Sequence, residues 1–137
     1  MVKRAHERVE LEIQTHYQTL PLMKGNPQEL RQAFTNILTN AVQALNGKGQ
    51  LDISTGVEGK HIYLTIRDTG SGMSRSHLSK IFDPFFTTKR QGEGSGLGLT
   101  TARRIIQKYG GQIEIESEEG VGTTCRISFP LNDSSSL

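Results

Sequence analysis

The sequence is poor in the residues that cross-link small proteins. It has a single cysteine, Cys125, among 137 residues. One cysteine excludes an internal disulfide and a cysteine-rich metal site, and it fits a reducing, cytoplasmic compartment. We expect Cys125 to be a small core residue, because unpaired cysteine is among the most frequently buried residue types.

Long apolar runs and an excess of charge of one sign are also missing. No apolar stretch approaches the roughly 18 residues that span a bilayer, so we expect no membrane contact by this domain, even if a longer parent is anchored. The 16 basic and 14 acidic residues are interspersed, which predicts no nucleic-acid partner. Length and composition predict one globular domain over 1–137, with 132–137 as a frayed polar tail.

Alternating patterns predict the strands. Val9, Leu11 and Ile13 alternate with polar residues and predict a first strand with one buried face, and 20–23 predict a short second one. Two longer alternating runs, 50–57 and 60–67, flank Glu58-Gly59, which predicts a two-residue hairpin at the centre of an antiparallel sheet. Apolar alternation at 113–115 and 125–129 predicts the last strand pair.

A long helix is predicted from Pro27 to about Asn46, because Asn26 supplies a cap and Pro27 suits the first helical position. One stripe of this helix is apolar and forms its predicted core face: Leu30, Phe34, Ile37, Ala41 and Leu45. Asn36 and Asn40 lie one turn apart on the flank, beside the small residues Ala33 and Ala44, so two amides face a roomy place. From the residues alone, these two could equally be surface amides.

Three glycine clusters close three junctions between elements, at 68–72 after a strand, at 94–98 before a helix and at 120–123 before a strand. Free N–H groups at a helix N-terminus bind anions, so phosphate is the natural guest of 94–98. That cluster lacks the Lys-Ser/Thr ending of a P-loop, and no strand precedes it as in a Rossmann motif. Asp68 could accept from an exocyclic amine in a cleft, or could bond its own backbone as a turn residue.

The chain between the first and the last of these clusters contains two predicted helices and a loop. A short helix is predicted from near Ser74 to Phe82, and a longer one over 97–109. Between them, 84–96 shows no sustained period and predicts a mobile loop with a function.

Four motifs, in this order, resemble those of the Bergerat-type ATP-binding fold shared by histidine kinases, type II topoisomerases, the ninety-kilodalton heat-shock chaperone and mismatch-repair MutL proteins. Residues 36–41 resemble the N box, 68–72 the G1 box, 81–86 the F box and 94–99 the G2 box. Together they cover about residues 26–125. The F box and the run 86–89 resemble the corresponding motifs of histidine kinases most. The motif sequences are most similar to those of nitrogen-regulation sensor kinases.

The resemblance implies a two-layer α/β (α+β) sandwich with a mixed, mostly antiparallel sheet of about five strands, three helices on one face and a mobile ATP lid. It implies ATP and Mg²⁺ as cofactors, with Asp68 accepting from the adenine amine, Asn40 holding the metal and Asn36 supporting the phosphate end. The other cofactor-binding residues that it implies are Gln43, Gly70, Gly72, Met73, Phe82, Phe86, Thr87, Thr88, Lys89, Gly94, Gly96, Leu97, Gly98, Leu99 and Thr123.

These implied residues divide by role. Gly70, Gly72 and Met73 border the adenine slot, and Thr123 lies behind the base. Residues 87–94 form the lid, in which Lys89 is a cation for the phosphates. Backbone amides of 96–99 reach the phosphates. Gln43 departs from the family pattern, which often has a basic residue there, so charge neutralisation falls more on magnesium and Lys89.

Asn36 bears on whether the implied reaction is ATP hydrolysis or phosphoryl donation. Hydrolysing relatives place a glutamate there, and an amide cannot serve as that base. The implied function is therefore donation of the γ-phosphoryl group to a histidine on a separate dimerisation domain of the same kinase, which then supplies a response regulator. A self-contained ATPase or a nucleotide-gated interaction module is the alternative.

The phosphoacceptor histidine is not expected in this chain. His6 precedes a predicted strand, and His16, His61 and His77 are scattered without ligand spacing. No residue of the chain is assigned a catalytic role.

Overall fold

The computed structural model describes residues 10–21, 25–45, 48–83 and 98–131. In these ranges the elements are β1 (Glu10–His16), α1 (Pro27–Leu45), β2 (Lys48–Glu58), β3 (His61–Asp68), α2 (Arg75–Leu78), α3 (Gly98–Lys108), β4 (Gln112–Glu118) and β5 (Gly122–Pro130). The strands form one sheet in the order β1-β2-β3-β5-β4, in which only β1 and β2 are parallel. The predicted mixed, mostly antiparallel five-stranded sheet is confirmed.

The core lies between one face of the sheet and the pair α1 and α3. Its buried residues come from α1 (Ala33, Ile37, Ala41, Leu45), from α3 (Ala102, Ile105, Ile106) and from the strands (Leu51, Ile66, Cys125, Ile127, Phe129). Leu30 and Phe34 are only half-buried at its edge. Ala33 is 0% exposed, so it belongs to the core face and not to the roomy flank expected for it. Within the described ranges, no helix has the length and apolarity to cross a membrane.

The expectations for the first part of the chain need correction. Ile13 is 54% exposed, although alternation predicted a buried side chain, because β1 is the outer strand of the sheet and α1 packs over β2 and β3. Leu20 and Pro21 are not in a strand, and Pro21 lacks the N–H that a strand ladder requires. Val9 and 22–24 lie outside the described residues.

The β2–β3 hairpin is present, but its turn is one residue later than predicted. Glu58 pairs with His61, so the two turn residues are Gly59 and Lys60. The register follows from the side chains that must face the core, because a slip of one residue would turn every buried side chain to the other face.

The start of α1 is fixed to the end of α3. Asn26 caps α1 as predicted, since its Oδ1 accepts from the N–H groups of Gln28 at 2.8 Å and Glu29 at 3.2 Å. The Glu29 carboxylate accepts from the Tyr109 hydroxyl and from Lys108 Nζ at 2.9 Å. These two bonds lower the pKa of Glu29. The contacts fix the two helices side by side at this end.

Candidate functional site

Asp68 lies at the end of β3, the central strand of the sheet. Asp68 is only 5% exposed, and its Oδ1 accepts from the Gly70 N–H at 2.9 Å. Burial raises the pKa of Asp68, while the backbone N–H groups of Gly70 and Thr123 act in the opposite direction. A carboxylate offers about four lone-pair positions, so it keeps the capacity to accept from a ligand as well.

The loop after β3, residues 69–73, is shaped by close contact with the β4–β5 hairpin. A Cβ on Gly72 would lie 2.0 Å from Glu118 O, and one on Gly122, where φ is +147°, would lie 2.1 Å from Asp68 O. Gly120 N–H also donates to Ser71 O at 2.8 Å. Gly72 and Gly122 are therefore required for packing, and the loop that they permit begins directly at the buried carboxylate.

Met73 and Thr123 are both predicted to lie beside the adenine base. They are linked through Ser117. Met73 N–H donates to Ser117 Oγ at 2.7 Å, and Ser117 Oγ lies 2.8 Å from Thr123 Oγ1. Thr123 is the register partner of Asp68. The structure thus brings Met73, Thr123 and Asp68 together as expected, through Ser117, which sequence reasoning missed.

Asn36 joins α1 to the start of α3. Its Nδ2 donates to Gly98 O at 3.2 Å, so the predicted N box and the end of the predicted G2 box are in contact. Asn40 is half-buried and lies one turn further along α1, about 6 Å from Asn36 along the helix axis. Leu99 follows Gly98 in the first turn of α3, and its side chain packs on the edge of the core. Asn36 therefore lies at the N-terminal end of α3.

Phe82 of the predicted F box lies against the first turns of α3. Thr100 Oγ1 donates to Phe82 O at 2.8 Å, and the Arg103 guanidinium stands 4.8 Å from the centre of the Phe82 ring. The predicted helix begins at Arg75 with Ser74 as its cap, but it ends at Leu78 and not at Phe82. It ends early because the N–H groups of Lys80, Ile81 and Asp83 bond to carbonyls three residues back, as in turns, and not four residues back as in an α-helix.

Gln43 is exposed and borders a shallow cavity of about 290 Å³ together with Thr35, Leu38, Thr39 and Val42. Its predicted contact with a nucleotide stays a prediction. Seven other predicted site residues, Phe86, Thr87, Thr88, Lys89, Gly94, Gly96 and Leu97, lie outside the described residues, as does the predicted lid over 87–94.

An open cavity of about 540 Å³ lies between the end of α1 and the loop after β3. Its lining residues are Ala44, Leu45, Lys48, Gly49, Thr69, Gly70 and Ser71. Of these, only Gly70 was predicted as a site residue, although Ala44 was noted as a small neighbour of the asparagines. The sequence gives no signal for Lys48, because an exposed lysine at the start of a strand has no pattern that marks it.

Comparison with known proteins assigns the family. Residues 25–133 match the family described as histidine kinase-, DNA gyrase B- and HSP90-like ATPase. The chain is 36% identical over 114 residues to the sensor histidine kinase ZraS of Escherichia coli K12, covering 83% of this chain and 24% of that protein. The chain thus spans about a quarter of the length of this curated relative.

Solved structures agree with this match. The mycobacterial sensor histidine kinase MprB is 25% identical and superposes with a TM-score of 0.77, covering 91% of this chain and 85% of that one. Full-length ShkA in complex with AMPPNP is 28% identical, with a TM-score of 0.76 over 92% of this chain and 26% of that one. The chain therefore belongs to the histidine kinase-, DNA gyrase B- and HSP90-like ATPase family and corresponds to the ATPase domain of sensor histidine kinases.

Proposed function

We propose that this domain binds ATP with Mg²⁺ and donates the γ-phosphoryl group to a histidine on a separate dimerisation domain, in two-component signal transduction. The observation that carries the proposal is the buried carboxylate of Asp68, whose Oδ1 accepts from the Gly70 N–H at 2.9 Å. We propose that it lies at one end of a nucleotide site and that the contact of Asn36 with Gly98 lies at the other end. ShkA was solved with AMPPNP, an analogue of ATP, which supports a nucleotide as the ligand.

The base end is proposed to recognise adenine. The Asp68 carboxylate would accept from the exocyclic amine, and the backbone of Gly70, Gly72 and Met73 would border the ring. Thr123 would lie behind the base, because it is the register partner of Asp68. A carboxylate accepts only, so it favours an amine over a carbonyl at that position of the base.

The phosphate end is proposed to lie at the start of α3, where the backbone N–H groups of Gly98 and Leu99 would donate to an anion. The described ranges hold no group of three or more His, Cys, Asp or Glu residues that could form a metal site. A magnesium ion, which prefers oxygen ligands, would therefore rely on the Asn40 amide oxygen, phosphate oxygens and water. When bound, the ion would neutralise charge on the transferred phosphoryl group.

Asn36 supports phosphoryl donation over hydrolysis. Its Nδ2 group donates to Gly98 O, so it acts as a link between α1 and α3, and its amide has no basic lone pair with which to activate water. The nucleophile would then come from the dimerisation domain. We also propose that the parent protein is a sensor kinase of the nitrogen-regulation type, that this domain is cytoplasmic and that a response regulator is a later partner.

Calorimetric titration with ATP and Mg²⁺ tests the proposal, and we expect one site whose affinity falls when magnesium is removed. Asn40→Asp should change the magnesium dependence while leaving the fold intact, whereas Gln32→Glu, an equal change of charge on the exposed side of α1, should not. A folded sample that does not bind ATP would end the proposal. Steady phosphate release by the isolated domain would instead favour the self-contained ATPase.

A further inference from the structure

Ser117 is a polar residue at a position where β4 otherwise carries apolar side chains. Ile113 and Ile115 pack against the core, and Ser117 follows two residues later on the same face of the strand. It is half-buried, and the intervening glutamates are exposed. A serine at this position buries less apolar surface than an isoleucine would. A half-buried hydroxyl must also form hydrogen bonds to offset its loss of water.

The Ser117 hydroxyl uses its full bonding capacity. It accepts from Met73 N–H at 2.7 Å and donates to Gly122 O at 3.1 Å. A hydroxyl has one proton to donate and two lone pairs, so in its 2.8 Å contact with Thr123 Oγ1 the threonine is the donor. One side chain thus holds the loop after β3 and the start of β5 at the same time.

These contacts join the loop after β3 to the β4–β5 hairpin beside the buried carboxylate. Thr123 is paired across the sheet with Asp68, Asp68 accepts from Gly70 N–H, and one residue beyond Gly72 the loop returns to the β4–β5 hairpin through the bond of Met73 to Ser117. The geometry points to Ser117 as a positioning residue that sets the base selectivity of the nucleotide site by holding Met73 and Thr123 in place beside Asp68. This inference rests on the proposed binding of ATP.

The effect of Ser117 should be confined to the base end. Replacing it with alanine leaves the Met73 N–H without its acceptor, so the loop can move relative to Asp68. The contact between Asn36 and Gly98 at the phosphate end does not involve Ser117. The variant should therefore lose selectivity for the base while keeping its affinity for the triphosphate.

Calorimetry with two nucleotides separates these effects. Inosine triphosphate keeps the sugar, the triphosphate and a purine but lacks the amine that Asp68 would accept from. In Ser117→Ala we expect ATP affinity to fall about tenfold, the equivalent of one buried hydrogen bond, and the affinity for inosine triphosphate to change less than about twofold. Ser117→Thr, which keeps the hydroxyl, should retain the ratio of the unmodified protein.

Ser128→Ala is the matched control, because Ser128 is a half-buried serine of β5, near the opposite end of the β4–β5 pair. It should change neither affinity. If Ser117→Ala does not fold, Ser117→Cys replaces it, since a thiol keeps the shape but accepts weakly, and the same selective loss is expected.

Equal losses for both nucleotides, or an unchanged ATP affinity in the folded variant, would overturn the positioning role. Failure of the unmodified protein to bind ATP would instead overturn the proposed function, so the two failures are distinguishable.

Discussion

Asp68→Asn tests the buried carboxylate, because asparagine has nearly the same shape and removes only the charge and one acceptor. The amide oxygen can still accept from Gly70 N–H, as Oδ1 does at 2.9 Å. The amide then directs its N–H₂ group to the place where an adenine amine would donate. The variant should keep the local fold and lose the partner of the base.

The magnitude follows from the type of bond that is lost. A hydrogen bond to a charged group contributes about 1.5–3 kcal/mol, so the Kd for ATP should rise roughly 10- to 100-fold. The affinity for inosine triphosphate should not fall, because its base carries a carbonyl, which the new amide can donate to.

Stability should change in the opposite direction. Burial raises the pKa of Asp68 in the folded protein above that in the unfolded chain, so the folded state holds the proton more tightly. The stability that this proton contributes is present below the unfolded pKa and is lost as pH rises through the folded pKa. At neutral pH the ionised carboxylate therefore destabilises the free domain, and Asp68→Asn should raise its Tm. The gain should vanish in acid, where Asp68 is protonated.

Calorimetry and thermal unfolding at pH 7 and at acidic pH measure both effects. Asp52→Asn is the control, since Asp52 lies on β2 beside the buried Leu51 and faces the other side of the sheet. Its carboxylate accepts from Nε2 of the neighbouring Gln50 at 3.1 Å. This control variant should leave ATP affinity unchanged. Unaltered ATP affinity in Asp68→Asn, or a lower Tm at neutral pH, would refute this reasoning.

Three further predictions concern packing. Gly122→Ala should cost more than about 3 kcal/mol in urea unfolding, because its Cβ would lie 2.1 Å from Asp68 O, whereas Gly59→Ala, at φ +59° with nothing within 4 Å, should cost only about 1–2 kcal/mol. Equal costs would contradict the close contact. Burial raises the pKa of Cys125 to about 12, so the native thiol should resist a disulfide reagent at pH 8 until denaturant is added. Tyr109→Phe should lower the Tm through its lost bond to the Glu29 carboxylate without changing ATP affinity in calorimetry.

Much of the fold was predictable because alternation and helical spacing report directly on burial. The α1 stripe was right at Ile37, Ala41 and Leu45, and the last strand pair lies where its apolar alternation indicated. The errors arose where tertiary context decides. Ile13 alternates like a buried residue, but sequence alone does not reveal that its strand lies at the edge of the sheet.

The site was predictable at residues that belong to motifs, and less so at residues that support them. The contact of Asn36 with Gly98 joins two motifs that are 62 residues apart, and the resemblance implied that both serve the phosphate end. Thr100 and Arg103, which hold the F box, carry no pattern of their own. Ser117 did carry a signal, a polar residue on the apolar face of β4, although only the structure identifies its partners.

The central claim is that Asp68 and the start of α3 hold the two ends of one ATP molecule. A crystal structure with an ATP analogue and Mg²⁺ tests it most directly. We predict that the adenine amine lies about 3 Å from the Asp68 carboxylate, with the phosphates at the N-terminal end of α3 and the metal at Asn40. A base bound away from Asp68, or phosphates bound away from Gly98, would contradict it.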